Sequence, residues 1–206
     1  MTTRQRYLFR MCFICSLFLF IIALTAQSAD WPMWRCNAKR NGVTSQQLPS
    51  TLHLQWTKQY PPQPRAFPAQ NRLEYDEAHQ PIITAQLLIV GSAATDRIDA
   101  LDIETGNEVW RYYTEGPIRF SPVAFQNKVY FGSDDGYIYC VTRDDGALVW
   151  KKNTAASTRR ILGNERFISI RPCRTGLAID KGVLYGAVGI WPFEGVYVYA
   201  MNPDNG

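Results

Sequence analysis

Between residues 81 and 206, apolar and polar positions alternate in short bursts, and no stretch sustains the recurrence of an amphipathic helix. Residues 121–152 show the pattern most clearly. SPVAF, KVYFG, YIYCV and ALVWK read as four short strands, rich in β-branched and aromatic residues. The connectors QN, SDDG and RDDG supply the polar and glycine chemistry of tight hairpins. Four antiparallel strands in so short a stretch make one meander sheet, whose two faces need neighbours to cover them. Upstream the chain is irregular. Only residues 51–57, where Leu52, Leu54 and Trp56 alternate with His53 and Gln55, read as a strand. Tyr60-Pro-Pro-Gln-Pro is expected to be a stiff connector.

The sheet pattern recurs. Ala100-Leu-Asp-Ile-Glu-Thr-Gly-Asn-Glu-Val-Trp110 returns as Cys140-Val-Thr-Arg-Asp-Asp-Gly-Ala-Leu-Val-Trp150, with Gly106 and Gly146, and likewise the two tryptophans, 40 residues apart. A third copy begins at Ala200-Met-Asn-Pro-Asp-Asn-Gly206, and KVYFGSDDGYIYC is echoed before it by GVLYGAVGIWPFEGVYVYA. A period near forty with four strands per repeat is the pattern of a propeller blade. The expected fold is therefore all-β: a partial β-propeller of four-stranded antiparallel blades. Residues 1–28 are expected to be a leader, 29–80 an N-terminal extended segment with one strand, and 81–206 two to three blades. A closed ring takes about 4–8 blades, so this chain is expected to be the N-terminal part of a longer protein, with the remaining blades beyond Gly206.

The motif Ala100-x-Asp102-x-x-Thr105-Gly106-x-Glu108-x-Trp110 resembles that of the quinoprotein-type, PQQ-like (pyrroloquinoline-quinone) β-propeller repeats. The second copy keeps Gly146 and Trp150 but carries Cys140, Thr142 and Asp145; the third keeps Ala200 and Gly206, with Asn202 and Asn205. Trp31-Pro-Met-Trp34-Arg35 and Asn41-Gly42-Val43 also resemble the opening of exported proteins with this repeat. The resemblance implies that the glycine permits the turn between the last two strands and that the tryptophan is buried against the neighbouring blade. It does not imply a cofactor. Enzymes of the family hold PQQ and calcium through other residues on the propeller axis, some with an adjacent cysteine pair; other members are scaffolds in outer-membrane protein assembly. This chain has no Cys-Cys pair and no alignable Glu/Asn/Asp calcium set. No cofactor is expected, with PQQ and calcium as the alternative.

Charge narrows the compartment and partners. The chain has 22 Lys+Arg against 18 Asp+Glu. Arg4, Arg6 and Arg10 precede the apolar run of residues 11–26, which small residues follow, the pattern of a secretory signal or an uncleaved anchor. Outside that leader the balance is 19 to 18, which argues against a nucleic-acid binder. The protein is expected to be exported, to the periplasm or cell envelope. Cys36, Cys140 and Cys173 are too few and too far apart for a disulfide scaffold or metal motif. His53 and His79 lack ligand spacing, and Asp134-Asp135-Gly136 and Asp144-Asp145-Gly146 read as turns.

One segment departs from the rest. The third repeat is lengthened from 40 to 60 residues by an insertion holding Lys151, Lys152, Arg159, Arg160, Arg166, Arg171 and Arg174 against one acid, Glu165. Arg159, Arg160, Arg166 and Arg171 are the candidate contacts for an anionic cell-envelope ligand or another protein, because guanidinium forks match carboxylates and sulfates. Trp191-Pro-Phe-Glu194 is expected in a loop beside it. The expected function is a non-catalytic binding or assembly scaffold. The alternatives are a portion of a PQQ-dependent dehydrogenase, or the propeller module of a larger multi-domain enzyme.

Overall fold

The computed structural model describes residues 30–63, 78–154, 157–163 and 166–206, and every regular element among them is a strand. The expected leader and residues 64–77 lie outside the described residues. Blade 1 is the meander β1 (Ile82–Thr84), β2 (Leu87–Ser92), β3 (Arg97–Asp102) and β4 (Glu108–Tyr113); blade 2 repeats it as β5 (Val123–Phe125), β6 (Lys128–Gly132), β7 (Tyr137–Thr142) and β8 (Leu148–Asn153). A separate hairpin, β9 (Arg160–Gly163) and β10 (Arg166–Ser169), precedes blade 3, which consists of β11 (Ala178–Asp180), β12 (Val183–Val188) and β13 (Tyr197–Met201).

The repeat extends into backbone detail. The first two strands of each blade are joined by two residues: Ala85-Gln86, Gln126-Asn127 and Lys181-Gly182. Positive φ at Ala85, Gln86, Gln126, Lys181 and Gly182 is what tight hairpins between right-twisted strands demand. Both complete blades shift register at the same place, between Ala100 and Leu101 and between Cys140 and Val141. The departures at Thr142 and Asp145 are a swap. In blade 1, Thr105 donates its N–H and hydroxyl to Asp102 Oδ1 (2.8 and 2.7 Å); in blade 2, Thr142 donates its hydroxyl to Asp145. The same turn is tied from the opposite side.

The blades fan out from one edge. β1 touches β5 and β5 touches β11, whereas β4 and β8 make no contact with each other. Between blades 1 and 2 lie Ile89, Ile98, Ala100 and Trp110 against Val129, Phe131, Tyr139 and Val141; between blades 2 and 3 lie Tyr130, Ile138 and Cys140 against Ile179, Leu184 and Met201. Along the inner edge runs the N-terminal segment. Trp31 exchanges both backbone hydrogen bonds with Ile83 of β1 (2.8 and 3.0 Å), Pro32 O accepts from Ala124 N of β5 (2.7 Å), and Arg40 donates to Gly176 O before β11 (2.8 Å).

Residues 51–57 are not the strand that their alternation suggests. They have no ladder partner among the described residues, and Leu52 and Leu54 are exposed. Alternation supplies a face but no partner for the backbone, and only Trp56 is inserted, its ring against Gly106.

Candidate functional site

The connections between blades and the turns between the second and third strands gather at one end of the fan. There the insertion lies across the blade 2 turn: Ser169 N donates to Asp134 O (2.8 Å) and Cys173 N to Ser133 O (3.1 Å). Beneath it is a buried charge cluster. Asp134 accepts from Arg119 Nε (2.8 Å) and from Arg174 Nε and Nη2 (3.0 and 2.8 Å), with all three side chains at most 5% exposed. A carboxylate so buried is tolerated because charged donors compensate it. Next to it, Asp135 accepts from Tyr139 Oη (2.6 Å), Tyr137 N (3.0 Å) and Glu115 N (3.1 Å). Burial raises the Asp135 pKa, with those hydrogen bonds opposing, and burial followed by the Asp135 charge raises that of Tyr139.

Arg160, Arg166 and Arg171 each reach a separate acceptor. Arg160 pairs with Glu115, lowering the Glu115 pKa through the hydrogen bond, and Arg166 pairs with Asp96 and donates to Ala93 O (3.0 Å). Burial nonetheless leaves Asp96 raised. Arg171 donates to Glu194 O (2.7 Å) and lies 4.8 Å from the Tyr197 ring centre. Arg159 is 68% exposed and only 4.0 Å from Glu194 Oε1. Three insertion arginines thus fasten it to blade 1, to the blade 1–2 connection and to blade 3. The outer face of the β9–β10 hairpin carries the cross-strand pair Leu162 and Phe167, about 70% exposed each.

Sequence reasoning marked these arginines but missed Arg119 and Asp134. The signal was present, since Arg119 and Arg174 stand at the same offset before β5 and β11, flanking the repeat that carries Asp134. Asp134-Asp135-Gly136 is a turn, with Gly136 at φ +91°, but its carboxylates also anchor the interior. Trp191 and Phe193 stack in the loop between β12 and β13, with ring centres 6.1 Å apart. Cys36, Cys140 and Cys173 are free thiols, and burial pushes Cys140 up to about 11 and Cys173 to about 12. Gln63 Nε2 lies 2.9 Å from His79 Nδ1. Among the described residues no three of His, Cys, Asp and Glu are grouped to hold a metal ion.

Residues 51–185 match the family described as outer membrane protein assembly factor BamB. The chain is similar to quinoprotein alcohol dehydrogenase PedH of Pseudomonas putida, 26% identical over 136 residues, covering 62% of this chain and 21% of PedH. It is also similar to the quinoprotein ethanol dehydrogenase of Pseudomonas putida, 25% identical over 140 residues, covering 62% of this chain and 21% of that enzyme. The chain therefore spans about a fifth of the length of these curated relatives. The quinohemoprotein alcohol dehydrogenase of Comamonas testosteroni shares the fold, with a TM-score of 0.61 and 18% identity over 91% of this chain and 27% of that one.

Proposed function

For a chain that belongs to the PQQ-like repeat family of outer membrane protein assembly factor BamB, we propose the role of an exported, non-catalytic binding scaffold of the cell envelope. The observation that carries this reading is the occupied inner edge of the fan. Trp31, Pro32 and Arg40 lie along the first strands of all three blades, where a ligand on the axis would have to reach them. Outward, the β9–β10 hairpin offers Leu162 and Phe167 on a loop fastened by Arg160 and Arg166. An apolar pair on a rigid support suits a protein partner.

The competing reading is a portion of a quinoprotein dehydrogenase, supported by the names of the curated relatives. One experiment separates the two. The intact polypeptide is incubated with PQQ and Ca²⁺, and bound-quinone absorbance and dye-linked alcohol oxidation are followed. The scaffold reading expects neither; stoichiometric quinone with turnover establishes the dehydrogenase.

An anionic envelope ligand at Arg159, Arg160, Arg166 and Arg171 is a finer proposal, supported by the exposure of Arg159. Exposed single pairs contribute only about 0–1 kcal/mol, so several guanidinium groups must act together. Binding of a sulfated or carboxylated glycan should fall in an Arg159→Ala/Arg160→Ala/Arg166→Ala variant at physiological salt. Equal binding by both proteins would refute it.

A further inference from the structure

Between its second and third printed strands, blade 3 carries residues 189–196, where blades 1 and 2 make do with the shorter turns 93–96 and 133–136. The longer loop is held firmly. Glu194 N donates to Trp191 O (3.0 Å) and Gly195 N to Pro192 O (3.3 Å), while Gly189 N to Pro172 O (3.0 Å) and Arg171 Nε to Glu194 O (2.7 Å) tie the loop to the insertion. Gly189 and Gly195, at φ +91° and +86°, close its neck so tightly that a Cβ on Gly189 would fall 2.3 Å from Gly195 O. Pro192 stiffens the tip.

This loop displays aromatic surface. Phe193 is 82% exposed, and its ring stacks with that of Trp191 at an interplanar angle of 24°. Blade packing does not account for the pair. Trp56, Trp110 and Trp150 are the tryptophans that hold the repeats: each indole N–H donates to a backbone carbonyl, of Ile103 (2.9 Å), Arg143 (2.6 Å) and Pro203 (3.0 Å), with the ring against Gly106, Gly146 and Gly206. The Trp191 N–H has no such tie among the described residues. A large aromatic pair presented by a fixed loop is contact surface. Next to Phe193 in the chain, Glu194 Oε1 lies 4.0 Å from Arg159 Nη1, too far for a hydrogen bond. A hydroxyl, which donates and accepts at one atom, closes such a gap.

We propose that Trp191, Phe193, Arg159 and Glu194 form a binding site for a neutral glycan of β-1,4-linked pyranose units. A pyranose with equatorial hydroxyls has a flat face of axial C–H bonds, whose partial positive charge is attracted to the negative face of an aromatic ring. Its hydroxyls supply the combined donor and acceptor that the guanidinium and the carboxylate require. An apolar peptide would cover the rings but leave the space between Arg159 and Glu194 unbridged. The proposal goes beyond the scaffold reading and does not rest on it, since it needs neither a protein partner at Leu162 and Phe167 nor a charged glycan.

Titration calorimetry of the intact polypeptide with cellohexaose and chitohexaose tests this, with α-linked maltohexaose as the contrast. One or both β-1,4 hexasaccharides should bind more tightly than maltohexaose. Phe193→Ala, at a position exposed enough to leave the unfolding midpoint unchanged, should weaken that binding about 10-fold, while Phe193→Tyr should keep the parent affinity. Arg159→Ala should weaken it about 5-fold or more, as loss of a charged hydrogen-bond donor does. Raising NaCl to ~0.5 M should change the affinity by less than about 2-fold, because ring and hydroxyl contacts are not screened as ion pairs are. Failure of both β-1,4 hexasaccharides to bind would overturn the proposal, as would binding that survives Phe193→Ala or disappears at that salt concentration. If no glycan binds and Phe193→Ala instead abolishes cross-linking to a protein, the loop is a protein-docking surface and the glycan site is refuted.

Discussion

Asp134 and Asp144 open the same three-residue sequence, Asp-Asp-Gly, and have opposite surroundings. Asp134 is buried between two arginines, whereas Asp144 is 63% exposed beside Arg143. Asp134→Asn keeps the side chain's shape but removes the charge that compensates Arg119 and Arg174. It should cost about 3–5 kcal/mol in denaturant unfolding, as breaking a buried pair generally does. Asp144→Asn should stay within about 0.5 kcal/mol. The buried thiols give a second prediction at this scale. Cys140 and Cys173 are raised to about 11 and about 12, so the folded state holds their protons more tightly than the unfolded chain does. The stability they contribute is complete below the unfolded thiol value of about 8.5 and is lost as pH rises through the folded values. A Cys140→Ala/Cys173→Ala variant should therefore show a shallower loss of stability between pH 9 and pH 12 than the parent, read as urea midpoints (about 8.5 being the onset).

At the scale of elements, the unit that repeats is a strand pair with a seat. Gly106 and Gly146 have φ near +70°, and a Cβ on either would fall 2.6 Å from the ring of the docked tryptophan. Glycine is needed there twice over, for the left-handed turn and for the close approach. Gly146→Ala should cost about 1–3 kcal/mol. Trp110→Ala, which empties a site now 6% exposed and loses the bond to Arg143 O, should cost about 3–5 kcal/mol. In Trp110→Ala/Gly146→Ala the clash is gone, so the combined loss should be smaller than the sum of the single losses, measured as a double-mutant cycle. The spacing of Gly and Trp was legible in the sequence because backbone conformation and local volume set it. The role of Trp56 was not, because its acceptor, Ile103 O, lies 47 residues away and nothing nearby in the chain marks it.

For the whole molecule, stability is a chain of neighbour interfaces. Among the described residues, blade 2 is covered on both faces, whereas blade 3 is covered on one. In this chain, amide exchange should be slowest in β6 and β7 and clearly faster in β13, since protection follows buried contact density. Equal protection across the three blades would show that they unfold as one unit. The strap at residues 31–40 ties the three inner edges together, so Arg40→Ala, which removes the bond to Gly176 O, should speed exchange in blade 3 more than in blade 1.

The sequence by itself determined the all-β class, the forty-residue period, the hairpin positions and the place where the insertion breaks the rhythm. Each depends on interactions within a few residues: alternation along a strand, positive φ at a turn, a glycine beside a tryptophan. Only the tertiary structure decided which Asp-Asp-Gly carboxylates are buried, where the insertion's arginines attach, and that residues 51–57 find no ladder partner among the described residues. Those outcomes depend on groups brought together from separate repeats. Arg119, Asp134 and Arg174 are an example, spread over 55 residues and joined only when blades 2 and 3 stack. Burial and pairing are properties of that stacking, and a local pattern cannot encode which of two identical turns will lie beneath the next blade.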